Sequence, residues 1–123
     1  MNIKPKLLIV EDDELNRLVY QGVLSKIFDL IICKNDEDFI NELKKENTFH
    51  AFLIDLSLKG NKDGIQLIKE LREFEKYKTI PVVVVTAHAY KKDEETALAA
   101  GATKFLRKPV DNKKLLNEFM DYI

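Results

Sequence analysis

Five short, unbroken apolar runs divide this chain: Leu7–Val10, Leu30–Cys33, Ala51–Ile54, Val82–Val85 and the weaker Phe105–Leu106. Runs of this kind, continuous rather than alternating, suit strands buried on both faces, as in a parallel sheet. The four consecutive valines 82–85 resist a helix through their stiff χ1 and favour a strand. Helical periodicity fills the intervals. Leu15, Leu18, Val19 and Gly22 predict one helix face, Phe39, Ile40 and Leu43 a second, and Gly64, Leu67, Ile68, Leu71 and Phe74 a third. Ala97–Ala100 run into Gly101, a predicted left-handed stop, and Leu115, Leu116, Phe119, Met120 and Ile123 form the last face. Five strands alternating with five helices predict an α/β domain whose helices cover both faces of a parallel sheet.

The length of 123 residues accommodates one such unit, so residues 1–123 are read as a single domain. Twenty Lys and Arg against 21 Asp and Glu leave a net charge of −1, which offers no basic excess for a nucleic-acid backbone. One cysteine, Cys33, excludes an internal disulfide and fits a reducing compartment; it is read as a buried strand residue. No apolar run approaches the ~18 residues of a membrane span or the ~7–15 of a secretory leader, so a cytoplasmic location is expected.

In open parallel sheets, ligands bind beyond the carboxyl ends of the strands. Glu11, Asp12 and Asp13 follow the first run, Asp55 the third, Thr86 the fourth, and Lys108-Pro109 the fifth. Asp13 immediately precedes a helix and is read as its N-cap. Convergence of Glu11, Asp12 and Asp55 is costly, since two carboxylates ~4 Å apart repel by ~4 kcal/mol at an effective dielectric of ~20. A hard divalent cation, Mg²⁺ above all, relieves that cost. A carboxylate beside such an ion can attack phosphorus, with Lys108 and Thr86 meeting the remaining phosphoryl oxygens.

At these positions the chain resembles the receiver domain of two-component response regulators over essentially its whole length. The matching pieces are Leu-Ile-Val-Glu-Asp-Asp (8–13), Ile-Asp-Leu-Ser-Leu (54–58), Asp-Gly (63–64), Val-Val-Thr-Ala (84–87), Gly-Ala (101–102) and Lys-Pro (108–109). The resemblance implies a flavodoxin-like doubly wound (βα)5 fold with strand order 2-1-3-4-5 and a phosphoacceptor at Asp55. It implies Mg²⁺ held by Asp12 directly, Glu11 through water, Asp55, and the backbone carbonyl of Ser57. Thr86 becomes the switch hydroxyl, Lys108 the phosphate-binding lysine in a cis Lys108–Pro109 peptide, and Phe105 the switch aromatic. Lacking a hydroxyl, Phe105 would act by steric packing alone. The implied partners are a sensor histidine kinase or histidine phosphotransfer protein, and a downstream effector or fused output domain. The expected state is a monomer or weak dimer with no membrane contact, catalysing only its own phosphorylation and dephosphorylation.

The chain departs from the family at Lys59, where a proline is common, and in a Gly60-Asn61-Lys62 loop one residue longer than usual. Ser57 and His88 occupy the rim positions expected to tune phosphoryl lifetime. The stretch 11–17 resembles receivers of hybrid histidine kinases, whereas the opening Met1 fits a stand-alone receiver. The alternative is a pseudo-receiver acting as an unphosphorylated interaction module, against which the complete Glu11, Asp12, Asp55, Thr86 and Lys108 set speaks. A flavin-nucleotide binder would need a Ser/Thr/Gly-rich loop where Glu11-Asp12-Asp13 stands. An Asp-x-Asp phosphohydrolase lacks its second aspartate, because residues 12–14 read Asp-Asp-Glu.

Overall fold

A computed structural model describes residues 3–56, 63–87 and 91–122. Among them the strands are β1 (Lys6–Val10), β2 (Asp29–Cys33), β3 (Ala51–Asp55), β4 (Val82–Thr86) and β5 (Lys104–Arg107). The helices are α1 (Glu14–Leu24), α2 (Asp36–Lys44), α3 (Gly64–Glu73), α4 (Lys91–Ala100) and α5 (Asn112–Met120). All strand pairs are parallel and the sheet order is β2-β1-β3-β4-β5, as expected.

Alternation along each strand divides the core in two. Leu8, Val10, Phe52, Ile54, Val82 and Val84 pack with Phe39 and Leu43 of α2, Leu67, Ile68 and Leu71 of α3, and Ala97 of α4. Leu7, Ile9, Ala51, Leu53, Val83 and Val85 pack with Tyr20, Val23 and Leu24 of α1 and with Leu115 and Phe119 of α5. Both parities of the central strands are therefore buried, which is why their sequences are unbroken apolar runs. Edge-to-face rings consolidate each layer, Phe52 on Tyr77 at 5.0 Å and Phe28 on Phe119 at 5.5 Å. At the amino end of the sheet, the Arg72 guanidinium donates to the carbonyls of Tyr77, Ile80 and Gly101, tying the α3–β4 and α4–β5 connections together. Gly101 has φ +122°, the left-handed stop foreseen after α4.

One helix face differs from expectation. Leu15 and Leu18 are 72% and 58% exposed, Val19 is exposed, and α1 turns Tyr20, Val23 and Leu24 inward instead. The true face is rotated by one residue, about 100°. The cause is polar: Arg17 Nη1 donates to the carbonyls of Glu11 and Asp12, and Tyr20 points its hydroxyl at Glu11. Met120 of α5 is also exposed.

Candidate functional site

Register brings the acidic residues together. Val10 pairs with Ile54, so Glu11 and Asp55 are the next residues out along neighbouring parallel strands. Glu11 is fully buried and Asp55 nearly so, while Asp12 is partly buried on the loop into α1. Glu11, Asp12 and Asp55 each present one carboxylate oxygen within 4.8 Å of the others. Asp13 does not join them; its Oδ2 accepts the Asn16 amide at 2.9 Å and caps α1.

Lys108 arrives from the far side. It follows β5, two strands beyond β3, a separation of roughly 9–10 Å that only a long side chain spans. Its backbone amide donates to the Thr86 carbonyl at 2.8 Å, and its Lys108–Pro109 peptide is cis. Its Nζ donates to Glu11 Oε1 at 3.0 Å and to Asp55 Oδ2 at 3.1 Å. Thr86 is fully buried at the end of β4, between the strands that carry Asp55 and Lys108.

Three carboxylates around one ammonium leave an excess of negative charge, and the titration behaviour follows. Burial first, then the hydrogen bond and charge of Asp55, push Glu11 up to about 7 against the opposing pull of Lys108. Burial pulls the Lys108 ammonium down, but the Asp55 and Glu11 charges outweigh it and the net shift is upward. Burial and the Glu11 charge raise the Tyr20 phenol, so it stays a donor. Asp12 Oδ2 is buried with no hydrogen-bond partner among the described residues, an arrangement that a native fold rarely keeps without a ligand. All-oxygen donors, an orphaned carboxylate oxygen and surplus negative charge together fit a hard divalent cation.

The fold brings Glu11, Asp12, Asp55, Thr86 and Lys108, all singled out in the sequence, to the carboxyl end of the sheet. Ser57, His88 and the Lys59–Lys62 loop lie outside the described residues. Phe105 is partly buried against the α2–α4 layer, with the Arg107 guanidinium 5.9 Å from its ring centroid. Three contributions escaped sequence reasoning. Tyr20 donates to Glu11 Oε1 at 3.3 Å, and Arg17 fixes the acidic loop through its carbonyls. Gly64 starts α3 against the end of β3, where an added Cβ would lie 2.7 Å from both the Asp55 carbonyl oxygen and Leu56 Cα. The Asp63-Gly64 pair was visible in the sequence, but the close approach that demands glycine was not.

Comparison with known proteins agrees with this geometry. The family model described as response regulator receiver domain matches residues 7–120. Sensory/regulatory protein RpfC of Xanthomonas campestris pv. campestris is 31% identical over 118 residues, covering 94% of this chain and 16% of that protein. The chain thus spans about a sixth of that relative. Polar-differentiation response regulator DivK of Brucella anthropi is 27% identical over 118 residues, covering 95% of this chain and 94% of that protein. Among solved structures, the receiver domain of sensor histidine kinase PA1611 from Pseudomonas aeruginosa PAO1, with magnesium ion coordinated in its active site cleft, superposes with a TM-score of 0.86. It is 24% identical and the match covers 98% of each chain.

Proposed function

The chain belongs to the response regulator receiver domain family and is a signalling domain of two-component systems, and from that premise we infer that Asp55 is its phosphoacceptor. The observation that carries this reading is the contact of Lys108 Nζ with both Glu11 and Asp55 beside the orphaned oxygen of Asp12. A buried aspartate with a lysine at hand and two further carboxylates is arranged to receive an electrophile that brings its own negative charge.

An Asp55 carboxylate oxygen attacks the phosphorus of a phosphohistidine. The new P–O bond forms as the P–N bond breaks, and the electron pair of that bond leaves with the imidazole nitrogen. Lys108 exchanges its contact with Asp55 for one with a phosphoryl oxygen, and the Thr86 hydroxyl donates to another. Glu11, Asp12 and Asp55 would hold Mg²⁺, which would supply neutralisation of the charge that the phosphoryl group brings; the Ser57 carbonyl that the resemblance adds lies outside the described residues. Withdrawal of Thr86 leaves space for Phe105 to pack inward, which alters the surface of α4, β5 and α5 that meets a downstream partner. The phosphoryl donor is a sensor histidine kinase or histidine phosphotransfer protein, in keeping with a receiver domain of two-component systems. The domain works in the cytoplasm and turns over only its own acyl phosphate; no helix among the described residues is long and apolar enough to cross a membrane.

Phosphoramidate, whose P–N bond resembles that of phosphohistidine, tests the reading. With Mg²⁺ the chain should take up one phosphoryl group, and with a chelator or in Asp55→Asn none. Equal uptake by Asp55→Asn would overturn the assignment.

A further inference from the structure

Tyr20 places a phenol in an otherwise apolar layer. It is buried with Leu7, Ile9, Val23 and Leu24, where phenylalanine would fill the space with no hydroxyl to satisfy. The hydroxyl meets Glu11 Oε1 at 3.3 Å, the oxygen that also accepts from Lys108 Nζ at 3.0 Å. One carboxylate oxygen therefore has two donors of different mobility. Tyr20 is fixed by core packing on α1, whereas Lys108 sits at the end of a flexible stem and also serves Asp55.

The difference matters when a phosphoryl group arrives. The ammonium then turns to the new oxygens, and Glu11, with no exposed surface, loses a charged donor. The donors that remain are the Tyr20 hydroxyl at Oε1 and the Asp13 amide, 3.5 Å from Oε2, and a buried carboxylate that loses donors is destabilised. We propose that Tyr20 is a positioning residue: its hydroxyl holds the Glu11 carboxylate and keeps it hydrogen-bonded while Lys108 moves from Glu11 and Asp55 to the phosphoryl group. This inference rests on Asp55 being the phosphoacceptor. Tyr20 acts through Glu11 and not on the reacting atoms.

The test compares the full chain with Tyr20→Phe at pH 8. Beryllofluoride with Mg²⁺ serves as the phosphoryl stand-in and calorimetry as the readout. Loss of one hydrogen bond to a charged group should weaken beryllofluoride binding about tenfold in Tyr20→Phe. The ligand-free protein, in which Lys108 still serves Glu11, should lose much less stability than the bound one. A second arm needs no ligand. In a Lys108→Met background, Tyr20→Phe should lower the urea midpoint distinctly more than in wild type, because Tyr20 is then the remaining side-chain donor to Oε1 among the described residues. Equal beryllofluoride affinity, or strictly additive effects in the double-mutant cycle, would overturn the proposal. Wild-type protein that fails to bind beryllofluoride, or Asp55→Asn that binds it as well as wild type, would instead overturn the phosphoacceptor reading. The ligand-free cycle would then judge Tyr20 separately.

Discussion

Lys108 Nζ lies 3.1 Å from Asp55 Oδ2, although β4 separates the strands that deliver the two residues. The lysine is the internal counter-ion of a pocket that holds more carboxylates than cations. Lys108→Met should therefore destabilise the metal-free protein by about 3–5 kcal/mol, the usual cost of stranding a buried charge. Added Mg²⁺ should recover more stability in this variant than in wild type, since the cation takes over the missing neutralisation. Urea unfolding with and without Mg²⁺ measures both quantities.

Asp12 has the opposite character. Its Oδ2 has no hydrogen-bond partner among the described residues, so in the absence of metal its charge contributes repulsion and little else. Asp12→Ala should leave the metal-free protein as stable as wild type, or more stable by about 1 kcal/mol. The rise in melting temperature that Mg²⁺ gives the wild type should vanish. A magnesium response of wild-type size in this variant would remove Asp12 from the metal site.

Glu11 makes the metal-free fold sensitive to pH. Unfolded, its carboxyl releases its proton near the ordinary 4.5; folded, burial and the neighbouring Asp55 hold the proton up to about 7. Between those values the native state binds more protons than the unfolded one. Stability must therefore fall as pH rises from 4.5 to 7, with the full penalty present above 7. Urea midpoints at pH 5.5 and pH 8 should diverge in the wild type, and Glu11→Gln should lose this component of the difference.

Gly64 is constrained by space. A Cβ there would meet the backbone of Asp55 and Leu56 at 2.7 Å, and backbone cannot yield as a flexible side chain does. Gly64→Ala should cost about 1–3 kcal/mol of stability, as overpacking does. It should also weaken Mg²⁺ binding, because the shift falls on the residue that bears the acceptor carboxylate. Calorimetric titration with Mg²⁺ on folded variant protein separates the two effects.

The strands were legible because both sheet faces are covered, which leaves no alternation to confuse the reading of Leu7–Val10 or Val82–Val85. The parallel order then carried Glu11, Asp12, Asp55, Thr86 and Lys108 to one edge, so those positions were readable from where each run stops. The sequence misleads at helix α1 because Leu15, Leu18 and Val19 make an apolar stripe at i, i+3, i+4, yet they face outward. Arg17 and Tyr20 look like solvent-side residues by composition and are drawn inward by Glu11 and its loop. The available signal was the i, i+3, i+4 spacing of Tyr20, Val23 and Leu24. Nothing in a linear pattern shows that Gly64 touches the Asp55 backbone, since that contact depends on where α3 docks.

The central claim, that Asp55 captures the phosphoryl group, is tested most directly by mapping the acyl phosphate. Protein treated with Mg²⁺ and a small phosphodonor is reduced with borohydride, digested and sequenced by mass spectrometry. Reduction at the side chain of Asp55, dependent on both donor and Mg²⁺, is the predicted result; reduction at Asp12, Asp13 or another carboxylate with Asp55 unaltered would contradict it.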